Sequence, residues 1–447
     1  MNSKSTLMTE GPIYKQIAKF AFPILCGNIF QQLYNMVDSL VIGNFVGKES
    51  LAAISSTSSL IFLLVGLFTG IFSGAGVVIS RYFGAGDTKK VQASVHTSVA
   101  FGIISGVVMT IIGTLFAPQI LKLMGTPNTV FDEAIIYVRI YFLGIITVVL
   151  YNTASGIFQA VGNSKSPLYY LITSSIINVI LDLLFVVVFK MGIAGAAIAT
   201  VIAQGISVCL AFYNLSHTVD VHRVNFKKIK IHKDMLREIL SMGIPSGVQN
   251  SVIALANVVV QSNINSFGAT AVAGCGSYSR IEGFAFIPIT SFALSMTTFI
   301  SQNLGSQKYE RAKKGTYFGI ATSTILAEII GIIFFLAAPT LIALFSNDPQ
   351  VIEYGTLQAR TIAPFFFLLA FSHCLAGILR GAGKSTVPML VMLSCWCIIR
   401  VLYITIVTHL IPEIYVIFGA YPLTWSLSSI IFLIYYLKSN WLYGFEK

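Results

Sequence analysis

Charged residues are scarce in this sequence. Of 447 residues, 17 are Asp or Glu and 28 are Lys or Arg, 10% in all, against 55% hydrophobic residues and a mean hydropathy of +0.82. So little charge cannot cover a water-exposed surface, which excludes both a soluble globular protein and a disordered one. Cysteine and histidine are also few, at 6 each. Cys26, Cys209, Cys275, Cys374, Cys395 and Cys397 all lie in apolar runs, without a CxxC pair or a neighbouring histidine cluster. Neither a disulfide framework nor a zinc site is supported. HExxH and GxSxG are both missing, so no enzyme and no cofactor are expected. The opening stretch MNSKSTLMTEGPIYKQIAKFAFPILCG lacks a compact apolar core followed by a small-residue cleavage site. No removable signal peptide is expected, and the first span serves as the insertion signal.

What the sequence has is long apolar runs, of the length that crosses the ~30 Å hydrocarbon core of a bilayer. Breaks at charge, Gly and Pro divide them into twelve spans: 14–43, 51–80, 92–117, 132–161, 167–189, 193–214, 236–266, 271–301, 312–338, 352–379, 387–409 and 414–437. Basic residues collect in alternate connections. One set holds Lys4, Lys15, Arg81, Lys89, Lys90, Lys165, the run from Arg223 to Arg237, Lys308, Arg311, Lys313, Lys314, Arg380, Lys384, Lys438 and Lys447, whereas the other holds little beyond Lys48, Lys122 and Lys190. Such asymmetry predicts both termini in the cytoplasm of a multi-pass protein of the cell membrane. The net charge of +11 then reads as a basic inner face beside anionic lipid; membrane lipid is an expected partner and nucleic acid is not.

The polar stretch SHTVDVHRVNFKKIKIHKD (216–234) falls between spans six and seven, giving an N-lobe at 1–215, a cytoplasmic linker at 216–235 and a C-lobe at 236–447. The halves are related. An offset of 221 carries Gly156, Gly162, Ser164 and Pro167 onto Gly377, Gly383, Ser385 and Pro388, and also Pro118 onto Pro339 and Arg139 onto Arg360. The chain reads as an internal duplication of six spans, an even number, so both copies enter the membrane in the same sense. The expected fold is all-α, a polytopic membrane protein of 12 transmembrane helices in two pseudo-symmetric six-helix bundles. RGAGKST (380–386) resembles a phosphate loop but has Ile378 where glycine is required, and reads as a tight turn between spans. Gly66, Gly70 and Gly74 form a small-xxx-small ladder suited to close helix packing.

Polar residues within the spans are not scattered. Gln31, Tyr34, Asn35 and Asp38 fall on one helical face of span one; Ser175, Asn178 and Asp182 repeat the pattern in span five, and Thr200, Gln204 and Ser207 in span six. An ionisable residue at membrane depth costs several kcal/mol unless paired or hydrated, which makes function its default reading. The second half keeps the scaffold without those charges: the offset of 221 puts Val259 opposite Asp38 and Tyr403 opposite Asp182. Glu282, Arg280, Glu328, Arg400 and His373 lie within spans too, and read as structural pairs or snorkelling groups.

The two six-span repeats, QLYNMVDSLVIGNFVG in the first span, SRYFGAG after the second, QAVGNSKSP after the fourth and NVILD in the fifth resemble the multidrug and toxic compound extrusion (MATE) transporters. The resemblance runs over essentially the whole chain and, with no acidic residue in IPSGVQNSVIAL of span seven, points to the DinF-like prokaryotic branch. It implies a V-shaped pair of lobes that exchange outward-open and inward-open states, and a monomer that expels organic compounds in return for Na⁺ or H⁺. It further implies a cation site at Asp38, Asn178, Asp182 and Thr200, and a bend at Pro23. Those four can offer Na⁺ several oxygens, whereas a proton needs only one carboxylate. For amphipathic, often cationic small-molecule substrates, Gln31, Tyr34, Asn35 and Tyr137 supply aromatic and hydrogen-bonding groups. A lipid-linked-precursor flippase of the same superfamily is the alternative; its pyrophosphate cargo calls for a cationic cavity, against which the acidic stripes argue.

Overall fold

The computed structural model describes residues 5–123, 126 and 128–445. Lys4 and Lys447 of the basic set lie outside them. Every expected span falls on helix, and no strand occurs among the described residues. The first half runs α1 (Ile13–Phe45), α2 (Lys48–Gly84), α3 (Thr88–Leu123), α4 (Phe131–Leu143), α5 (Ile145–Ala160), α6 (Lys165–Asp182) and α7 (Gly192–His217). The second runs α8 (Lys233–Asn265), α9 (Ala269–Gly305), α10 (Tyr309–Ala343), α11 (Pro349–Ile362), α12 (Phe366–Gly381), α13 (Thr386–Met392), α14 (Arg400–Leu410) and α15 (Ile414–Lys438).

Among the described residues, ten helical segments are long and apolar enough to cross a membrane, and α4 with α5 makes an eleventh, bent by 46°. That bend interrupts a span expected to be continuous. Gly144 sits at the break, where a Cβ would fall 2.3 Å from Cγ2 of Val201, so only glycine lets α7 approach this closely. The 33-residue α1 is also long enough to span, but its polar face lowers its hydropathy. Outward-facing Ile325, Ile329, Ile332, Ile333 and Leu336 of α10 are exposed, an apolar belt suited to lipid.

The duplication is written into the turns. Gly162 and Gly383 both take φ 78°, and each closes a helix with the same pair of bonds: Gly162 N to Gln159 O and Asn163 N to Phe158 O, repeated as Gly383 N to Arg380 O and Lys384 N to Leu379 O. RGAGKST is thus a helix-ending turn. Gly86 (φ 71°) and Gln307 (φ 58°) form a second such pair, and Gly47 (φ 131°) and Gly268 (φ 93°) share a positive φ without the matching bonds.

By internal contacts the chain forms two compact units, one of residues 1–7 and 26–244, the other of residues 8–25 and 245–447. Two of the three changeovers fall beside prolines inside helices, Pro23 in α1 and Pro245 in α8. Proline lacks the N–H that would hold the preceding turn, which makes these the weak points of both helices.

Within the first unit, α8 begins pressed against α2. A Cβ on Gly74 would meet Gly243 N at 2.3 Å, so the backbones touch, as the glycine ladder suggests. Nearby, Tyr82 donates its hydroxyl to both oxygens of Glu238 at 2.8 and 2.9 Å, and Arg81 lies 3.8 Å from the same carboxylate. Much of the 216–234 stretch packs into this unit: His222 and Val224 are buried, and Asn225 N donates to His96 Nε2 at 3.1 Å. Within the second unit the chain leading into α1 is held by side chains of α9 and α10. Met8 N donates to Gln302 Oε1 at 2.8 Å, and the Arg311 guanidinium donates to the carbonyls of Met8, Glu10 and Gly11.

A carboxyl cluster in the first unit

The C-terminal half of α1 is anchored by apolar contacts: Val41 and Ile42 pack on Val186 and on Ala196 of α7, with Val37 and Val46 beside them. Asp38 lies within this anchored stretch. On α6, Asn178 and Asp182 stand one turn apart and are buried, at 2% and 0% exposure. Ser174 and Ser207 tie α6 to α7 by donating to Ala203 O at 3.0 Å and to Tyr170 O at 3.2 Å. After Asp182 the chain widens into a π-helical turn, Leu183–Val188, a device frequent at functional sites.

Asp38 and Asp182 meet carboxyl to carboxyl, close enough to share a hydrogen bond once one of them carries a proton. As carboxylates they have no donor: Asp38 Oδ1 and both oxygens of Asp182 are buried without a hydrogen-bond partner in the protein. The Asn178 amide and Gln204 Oε1 are in the same condition. Unsatisfied buried acceptors are costly, and two facing carboxylates repel. A proton between them, or a cation coordinated by their oxygens, relieves both costs. Thr200 Oγ1 donates to Ala196 O at 3.1 Å, a bond within its own helix. The residues present therefore fit Na⁺ and H⁺ alike.

Tyrosines stand around the acids. Tyr34 and Tyr137 both lie within electrostatic reach of Asp38 and Asp182. Tyr137 is 7% exposed and stacks on Tyr141 with centroids 6.3 Å apart. Tyr141 and Tyr151 are charge neighbours of Tyr34 and were not singled out in the sequence; the signal for Tyr141 was its position four residues after Tyr137. Gln31 and Asn35 are exposed, Asn35 one turn before Asp38 on α1. The geometry thus gathers Asp38, Asp182, Tyr34 and Tyr137, with Asn178 one turn away.

Arg280, Glu282, Glu328, His373 and Arg400 lie in the second unit. Arg280 sits 5.9 Å over the ring of Phe345, and Glu328 Oε2 accepts from Phe367 N at 3.4 Å.

A family model, MatE, matches residues 23–184 and again 245–406. The chain belongs to the MatE family. Its relatives are transporters of multidrug efflux type. It is 26% identical over 432 residues to the probable multidrug resistance protein YoeA of Bacillus subtilis, covering 95% of this chain and 93% of that one. It is 24% identical to the multidrug export protein MepA of Staphylococcus aureus, covering 94% and 91%. An outward-facing multidrug resistance MATE family transporter superposes with a TM-score of 0.92 at 22% identity, covering 99% of both chains. A MOP superfamily transporter from Pyrococcus furiosus, described as having a binding pocket of reversed polarity, superposes at 0.91 with 22% identity, covering 97% of both. These superpositions establish the MATE fold. The family match also refines the repeat: its copies start at 23 and 245, an offset of 222 that pairs Pro23 with Pro245, whereas the turn glycines keep 221. Asp38 then faces Val259 or Val260, and the loss of charge in the second copy holds either way.

Proposed function

We propose that this MATE protein is a secondary antiporter of the cell membrane that exports amphipathic, often cationic organic compounds in exchange for H⁺ or Na⁺. The reading rests on the facing carboxyl groups of Asp38 and Asp182, buried without donors in a transporter-family chain. Asn178 and Thr200 complete the cation's ligand set, and Tyr34 and Tyr137 offer π faces to the organic cation, with Gln31 and Asn35 as outer polar contacts. Pro23 supplies the bend of α1. Cation and substrate exchange by preferring different states of the same lobe. The monomer is the working unit, with both termini cytoplasmic.

Inside-out vesicles test the exchange. An acidic lumen should drive ethidium uptake that vanishes when the pH gradient is collapsed; uptake indifferent to both pH and Na⁺ gradients overturns antiport. Because one site serves both ions, raising Na⁺ should move the pH midpoint of transport to lower pH. Asn178→Ala or Thr200→Ala should weaken this Na⁺ effect more than proton-driven uptake, and a midpoint indifferent to Na⁺ leaves a proton-only site.

Orientation is checked separately. Lys228 is exposed, so Lys228→Cys in a cysteine-free background should react with a membrane-impermeant thiol reagent only from the cytoplasmic side. Labelling of intact cells would reverse the assigned direction of transport.

A further inference from the structure

The second unit has a buried charge cluster of its own. Arg400 opens α14, directly after a π-helical stretch, Leu393–Ile399. The side chain of Arg400 is 3% exposed. Its guanidinium carbon lies 4.3 Å from the ring centre of Tyr421 and 5.7 Å from that of Trp396. Nε and Nη2 both donate to Thr424 Oγ1, at 3.2 and 2.9 Å. Across the cluster, half-buried Glu282 accepts from the Tyr278 hydroxyl at 3.1 Å and lies within electrostatic reach of Arg400. No ion pair within 4.0 Å joins the two charges among the described residues.

Two aromatic faces within ~6 Å of a cation, with a carboxylate nearby and water excluded, are the parts of an organic-cation site. Here the cation is the protein's own. The repeat register shows where this cluster stands. An offset of 221 carries Ser175, Val179, Thr200 and Gln204 of the first unit onto Trp396, Arg400, Tyr421 and Trp425. The cluster therefore occupies the second copy of the α6 and α7 faces that carry Asn178, Asp182 and Thr200.

We propose that Arg400 is a specificity-determining residue: it fills the second copy of the cation site as a tethered guanidinium and so confines cationic substrates to the first unit. The proposal rests on the first-unit site being a cation site, and predicts a single organic-cation site per chain. Removing the guanidinium leaves Tyr421, Trp396 and Glu282 free to receive an external cation.

Equilibrium binding of ethidium to purified protein tests this through stoichiometry. Wild type should bind one dye per chain, and Arg400→Ala or the better-tolerated Arg400→Gln should bind two. Millimolar methylguanidinium should displace the added dye only, and Glu282→Gln in the Arg400→Ala background should remove it. Arg400→Lys keeps a cation in the cage and should stay at one. Two dyes on wild type, or one on a folded, monodisperse Arg400→Ala or Arg400→Gln protein, overturns the proposal. Asp38→Asn separates the two readings: it should abolish wild-type binding yet leave the site unmasked by Arg400→Ala. Dye retained by Asp38→Asn alone tells against the first-unit site, while the increment on losing Arg400 still reports on the second.

Discussion

Asp38→Asn is expected to abolish coupled efflux, with ethidium uptake into acid-lumen vesicles falling to that of vesicles without the protein. Asparagine keeps the size and the hydrogen-bonding atoms but neither titrates nor carries charge. The site would lose one of two facing carboxyl groups, so the proton or cation that relieves their repulsion has less reason to bind. The protein should remain folded, since Asn brings an amide donor toward the orphaned oxygens of Asp182. Val259→Asn, at a 40%-exposed position of the second copy, should leave most of the transport intact. Equal loss from the two substitutions would mean that the acidic half is not the coupling half.

Gly74→Val should produce a large loss of stability. Its Cβ would lie 2.3 Å from Gly243 N and 2.4 Å from Gly243 Cα, both backbone atoms that no rotamer change can move. The two helices must separate by about an ångström along a contact that also holds Tyr82 against Glu238. Overpacking of this kind costs ~3 kcal/mol or more where the backbone has to shift. Gly76→Ala is the matched control, because its nearest neighbour, Gly156 O, would be 3.7 Å away, an ordinary contact. Thermal unfolding in detergent reads both, and a Gly74→Val protein as stable as Gly76→Ala would show that the helices do not pack here as described.

Much of the architecture was legible along the chain because a bilayer imposes length and polarity on every span. The twelve apolar runs all fall on helices, and the 221-residue repeat reappears as paired turns at Gly162 and Gly383. Helical periodicity was enough to put Asn178 and Asp182 on one face. It could not place Asp38 against Asp182, because 144 residues of chain separate them and only packing of α1 on α6 and α7 closes that gap. The bend at Gly144 escaped for a similar reason: glycine tolerates helix, and it is the approach of Val201 from another helix that requires it. Arg400 is the clearest case. Sequence marked it only as a charge in an apolar run, since stacking on Tyr421 and hydrogen bonding to Thr424 are contacts between different helices. Sequence by itself determined the spans, their repetition and which half keeps its acids, all consequences of local composition and periodicity. Tertiary structure alone decided which side chains meet, because a buried charge finds its partner through packing across helices.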